Sequence, residues 1–150
     1  MTVKVELTGF AELDAALGEL RQPVAKAVMR RALVQAAEPT VEAAKAMAPR
    51  DDGDLDDSIT ASHRLSPRQA GLHRKAVRDD RASAEAFVGA GPVPQAHLQE
   101  FGTFKDAPQP FMRPAWEGTK MEVLRRLADT LRDEIAKSVA RARRKAARRR

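Results

Sequence analysis

His97-Leu98-Gln99-Glu100-Phe101-Gly102-Thr103-Phe104-Lys105-Asp106-Ala107-Pro108-Gln109-Pro110-Phe111-Met112-Arg113-Pro114-Ala115-Trp116 is the stretch around which this 150-residue chain is organised. It carries three of the five phenylalanines and, at its end, the only tryptophan. Glu100-Phe101-Gly102-Thr103 sets an acid and an aromatic beside a glycine that can take φ > 0. Pro108, Pro110 and Pro114 then force an extended path. A stiff arm bearing aromatics is suited to lie against a surface, either the chain's own core or a neighbour. Gln95 to Phe101 reads as a short helical turn leading into it.

After the arm the pattern becomes regular. Pro114 suits the first turn of a helix. Met121, Leu124, Leu127, Ala128, Leu131, Ile135 and Val139 follow in steps of three and four, one apolar stripe of an amphipathic helix. Beyond Val139 the apolar face is lost. Residues 136–150 hold eight basic residues and no acid. The other residues carry 19 basic and 21 acidic side chains, so the net charge of +6 belongs to the tail and the body is near neutral.

Before the arm, Val3, Val5 and Leu7 alternate with charged residues, as in a half-buried strand. Phe10, Leu13, Leu17 and Leu20 have helical spacing. A longer Ala-rich helical pattern runs from Pro23 to Met47, with Val24, Val28, Val34, Val41 and Ala44 expected inward. Pro39 inside it predicts a kink or break, and the Ala-rich face would let another helix or another subunit approach closely. Asp51 to Asp57 reads as an acidic turn. Counting back from Gly53 puts Ala48 and Arg50 where an EF-hand needs ligands, which argues against calcium. Ser58 to Leu65, Leu72 to Val77 and Ala84 to Ala90 read as strands. Ser66 to Gly71 and Asp79-Asp80 read as loop or turn.

The residues alone therefore predict one α+β domain. It has a long N-terminal helical segment, a small antiparallel sheet of about three or four strands, and a C-terminal amphipathic helix. The domain is expected over 1–139, with a basic tail over 140–150. Aromatics are only 4% of the chain, so a thin core is expected, which oligomerisation could supplement. There is no cysteine, hence no disulfide or thiolate site. No apolar run is long enough to span a membrane, and the N-terminus lacks the apolar core of a signal peptide. His63, His73 and His97 lack metal-pair spacing, and no nucleophile elbow, phosphate loop or dinucleotide fingerprint occurs. Ser58 and His63 have no evident third partner. Neither an enzyme nor a cofactor is expected.

The arm also resembles a known pattern. His97-Leu98-Gln99-Glu100-Phe101-Gly102-Thr103, a short gap, then Ala107-Pro108-Gln109-Pro110-Phe111-Met112-Arg113-Pro114-Ala115 is similar to the signature of the tailed-phage tail-completion, or head–tail joining, proteins. An earlier half-motif of that family, a helix ending in Ala-Pro, an acidic Gly turn and Leu-x-x-Ser-Ile, is matched by Ala48-Pro49 through Leu55-Asp56-Asp57-Ser58-Ile59. The resemblance covers roughly residues 3–135. The chain departs from it at Asp52, where the family usually has threonine, and in the Arg-rich extension after Ala140, whose role is not inherited.

The resemblance implies a structural virion protein of the neck of a long-tailed phage, present in the host cytoplasm during assembly. It implies a homo-oligomeric ring, sixfold to match the tail tube or, second, twelvefold to match the portal side. The ring would meet the head-closure ring on one side and tail terminator or tail tube proteins on the other, and line the DNA path. Candidate subunit-interface residues are Glu100, Phe101, Gly102, Thr103, Pro110, Phe111, Arg113 and Pro114, with Arg113 a possible partner of Glu100 within or between chains. Candidate contacts to genomic DNA or to an acidic partner are Arg141, Arg143, Arg144, Lys145, Arg148, Arg149 and Arg150. With no aromatic among them, any DNA contact would be to the backbone and non-specific. The tail could equally be a disordered, solvated terminus. The rival reading is a nucleic-acid-binding module anchored by that tail.

Overall fold

The computed structural model describes residues 10–50, 54–76 and 83–148. The expected strand at Val3 to Leu7, the Asp79-Asp80 turn, and Arg149 and Arg150 lie outside them. Within the described residues the order is α1 (Phe10–Gly18), α2 (Gln22–Ala36), α3 (Glu38–Met47), α4 (Asp54–Ser58), β1 (Thr60–Ser62), α5 (Pro67–Ala76), β2 (Phe87–Gly89), α6 (Pro94–Phe101) and α7 (Met112–Ala147).

The long N-terminal pattern divides where Pro39 requires it. Helix α2 ends at Ala36, and Pro39 sits in the first turn of α3, where its missing N–H costs no intrahelical bond. Helix α3 stops at Met47 because Pro49 holds Ala48 extended, at ψ 135°.

Helix α7 is the spine. Its first half packs on α3, and its second half packs on α2 and α1. The helices approach closely because alanines occupy the contact: Ala32, Ala36, Ala44 and Ala115 are fully buried. The Ala-rich face thus receives a helix of the same chain. Two apolar clusters result. One joins Val41, Ala44, Ala48, Leu55, Ile59, Phe111 and Ala115. The other joins Val28 and Ala32 to Leu131 and Ile135, with Leu17 and Val139 at its edge. A polar pin lies on the α3–α7 contact, where the buried Thr40 hydroxyl is 2.7 Å from that of Thr119. Thr119 donates its proton to the Ala115 carbonyl at 2.7 Å, so Thr40 is the donor between the two hydroxyls.

Three sequence expectations need correction. The sheet has two strands among the described residues, not three or four. β1 and β2 pair antiparallel, with Thr60 opposite Gly89, Ala61 opposite Val88 and Ser62 opposite Phe87. The segment from Leu72, expected to be a strand, belongs to α5, and so do Pro67 to Gly71, expected to be loop or turn. A capping box starts that helix: the Ser66 N–H donates to Gln69 Oε1 at 3.2 Å, and the Gln69 N–H donates back to Ser66 Oγ at 3.4 Å. Pro67 follows at the first helical position, and the helix runs through Gly71. Finally, Val24 and Met121, expected inward, are exposed. Val24 lies in the first turn of α2, at the open end of the second cluster, and Met121 lies between the two clusters on α7.

Candidate subunit interface

The two sequence half-motifs meet in the first cluster. Ala48 caps α3, Leu55 projects from α4, and Ile59 follows it with its side chain fully buried. The Ser58 hydroxyl closes this turn by donating to the Leu55 carbonyl at 2.7 Å, and the Ser58 carbonyl accepts the Gly91 N–H at 3.0 Å. From the other half come Phe111, 1% exposed, and Ala115. The acidic segment between the halves contributes α4, and among the described residues no group of three His, Asp or Glu is placed to hold a metal ion.

The arm turns back along α6 before it enters α7. Gly102 leaves α6 with φ 76° and ψ 175°, a region open essentially to glycine alone. A Cβ there would lie 2.8 Å from the Pro108 nitrogen and 2.9 Å from its Cδ. Thr103 fixes the bend: its N–H donates to the Asp106 carbonyl, its hydroxyl donates to the Asp106 carboxylate, and the same hydroxyl accepts the Asp106 N–H at 3.0 Å. The Gln109 N–H then donates to the Gln99 carbonyl at 2.8 Å, fastening the Pro-rich segment to α6. Much of the surface that the arm lies against is therefore its own helix.

Glu100 completes the joint. Its Oε2 accepts the N–H groups of Phe111 at 2.8 Å and Met112 at 2.9 Å, and its Oε1 accepts that of Arg113 at 3.1 Å. A helix start leaves four N–H groups without intrahelical acceptors. Pro114, the next residue, has none to offer, so one carboxylate serves every donor of that first turn. Burial pushes the Glu100 carboxyl up, but the N–H donors of Met112, Phe111 and Arg113 and the Arg113 charge outweigh it and hold its pKa below the ordinary value. Arg113 is thus a partner of Glu100 within one chain, and chiefly through its backbone.

The candidate interface residues separate accordingly. Glu100, Gly102 and Thr103 build the turn, and Phe111 is spent in the core. Phe101, expected inward under one reading, is exposed, as are Pro110 and Arg113. Phe104, at 103% relative exposure, makes no use of its own chain, and Trp116 is half exposed on the first turns of α7. Phe101, Phe111, Met112 and Trp116 line a hollow of about 510 Å³ with Val88, Ala90 and Ala96. Sequence reasoning singled out the arm but missed Leu98, which is also half exposed on α6.

The family model described as "Bacteriophage HK97-gp10, putative tail-component" matches residues 11–102, more than half of the chain. The chain belongs to the HK97-gp10-like family. This is a tailed-phage tail-component family, in agreement with the resemblance to the tail-completion proteins. The match takes in the first half-motif and the α6 end of the second, through Gly102. The Pro-rich segment and α7 lie beyond it. No curated protein and no solved structure matches the chain. As a tail component, this HK97-gp10-like chain is a structural protein of the virion. No helix among its described residues is long and apolar enough to cross a membrane.

Proposed function

We propose that this HK97-gp10-like protein forms a ring in the phage neck that joins the finished tail to the DNA-filled head. The observation that carries this reading is the aromatic face around the arm. Phe101 and Trp116 are exposed at the edge of a mainly apolar hollow, and Phe104, three residues after Phe101, is fully exposed. An exposed apolar cluster on a soluble domain marks an interaction site. Repetition of one such contact from copy to copy closes a ring when the rotation permits. Six copies would match the tail tube, and twelve the portal side. Phe101, Phe104, Pro110, Arg113 and Trp116 would face the neighbouring copy, while Glu100, Gly102, Thr103, Phe111 and Pro114 hold the arm in place. The flanking partners would be the head-closure ring and the tail terminator or tube.

The test is electron microscopy of lysates from the parent phage lacking this gene. Separate full heads and separate finished tails are expected. Normally joined virions would sink the neck assignment. The second reading, a nucleic-acid-binding module anchored by its C-terminal cations, would then come first. What favours it is that Arg141, Arg144, Lys145 and Arg148 are all exposed.

A further inference from the structure

The cations at the end of α7 are not one undifferentiated tail. The helix continues unbroken to Ala147, and Arg148 caps it. Arg141, Arg144, Lys145 and Arg148 stand at i, i+3, i+4 and i+7, which places them on one side of the helix. None of the four forms an ion pair among the described residues. Arg143, by contrast, is paired. Its guanidinium is 3.1 and 3.2 Å from the two Glu19 carboxylate oxygens, and it ties α7 to the end of α1. Lys137, one turn earlier, lies 3.6 Å from Glu134.

Arg141 and Lys145 line a hollow of about 540 Å³ between the end of α7 and the α1–α2 corner. Arg21, from that corner, lines it with them; Leu20 and Val24 form an apolar floor, and Ser138, Ala142 and Ala146 supply small side chains. Glu19 also borders the hollow, but Arg143 already neutralises it. Three cations from two separate helical regions therefore converge on one concave surface whose only acid among the described residues is paired.

We propose that Arg21, Arg141 and Lys145, extended by Arg144 and Arg148, form a face that binds the phosphate backbone of duplex DNA, and that Arg143 is not part of it. This rests on the reading that the protein meets genomic DNA, and it deepens that reading by adding Arg21 and removing Arg143. The dimensions suit the ligand. Arg141 to Arg148 spans about 10.5 Å of helix, or about three phosphates at roughly 3.4 Å of rise along a strand. Alanines between the cations let a backbone approach closely, and no aromatic residue lines the hollow to stack a base.

The experiment is fluorescence anisotropy of the full chain with a labelled duplex at several salt concentrations, using R21Q, R141Q, K145Q and R143Q. Each of the first three should weaken binding and lower the slope of log affinity against log salt by about 1. R143Q by itself would unpair Glu19 in the hollow, so it is made in an E19Q background, where it should leave the slope of the E19Q parent unchanged. An R143Q effect in that background equal to that of R141Q, with none from R21Q, would overturn the proposed face while leaving DNA contact standing. If the wild-type chain bound no duplex at low salt but did bind polyglutamate, both the face and the DNA reading would fall.

Discussion

Glu100 Oε2 accepts the backbone N–H of Phe111 at 2.8 Å and so ties the last turn of α6 to the start of α7. This bond, with its companions to Met112 and Arg113, seats the Phe111 ring in the core. E100A should destabilise the chain by about 1–2 kcal/mol, the range for losing a charged helix cap. E100Q, which keeps one acceptor oxygen, should cost less. Urea unfolding midpoints would measure both. A wild-type midpoint for E100A would show that the cap contributes nothing net.

The same carboxyl makes this stability depend on pH. Its folded pKa lies below the unfolded value of about 4.3. The folded state therefore binds the proton less readily than the unfolded chain, and acid favours unfolding. The contribution is complete above the unfolded value and disappears as pH falls through the lower folded value. The stability gap between wild type and E100Q should be constant near neutrality and narrow below about pH 4.3. Unfolding at a series of pH values tests this; a gap that widens in acid would refute the assignment.

Gly102 is the hinge of the arm. G102A would force a Cβ against Pro108 at a backbone geometry that alanine rarely adopts, and should cost about 1–3 kcal/mol. Gly18 and Gly71 have open space at the same position. G71A, in the interior of α5, should instead be neutral or stabilising by up to about 1 kcal/mol. The thermal midpoint should fall for G102A and should hold or rise for G71A.

Phe104 and Phe111, seven residues apart, should behave in opposite ways. F111A should lose about 3–5 kcal/mol, as large core truncations do. F104S should leave the stability of an isolated chain within about 0.5 kcal/mol, since the ring touches nothing in its own chain. If Phe104 faces a neighbouring copy, F104S should nevertheless reduce oligomer mass by light scattering and lower the yield of joined virions. Unchanged assembly would remove Phe104 from the interface.

The sequence was most legible where one residue constrains its own backbone. Pro39 announced the break between α2 and α3, Gly102 the positive φ, and the steps from Leu124 to Ile135 the long helix. The capping box of Ser66 and Gln69 is equally local, and it marks the start of the helix that carries Leu72. The short strands were harder. Thr60–Ser62 and Phe87–Gly89 are three residues each, too short for period-two alternation to stand out.

The sequence by itself determined the family, the order of the main helices, the site of the arm and the cationic end of the chain. These follow from local backbone chemistry and from motifs that survive as strings of residues. Only the tertiary structure decided what those strings are for. Two half-motifs some forty residues apart close one core, because Leu55, Ile59 and Phe111 each need the others to leave water. Glu100 is a cap rather than an ion-pair partner because α7 begins where its carboxylate ends. Arg143 is set apart from its neighbours because Glu19 lies against α7 at that one position. Such assignments depend on which groups meet after the chain has folded, and spacing along the chain does not record them.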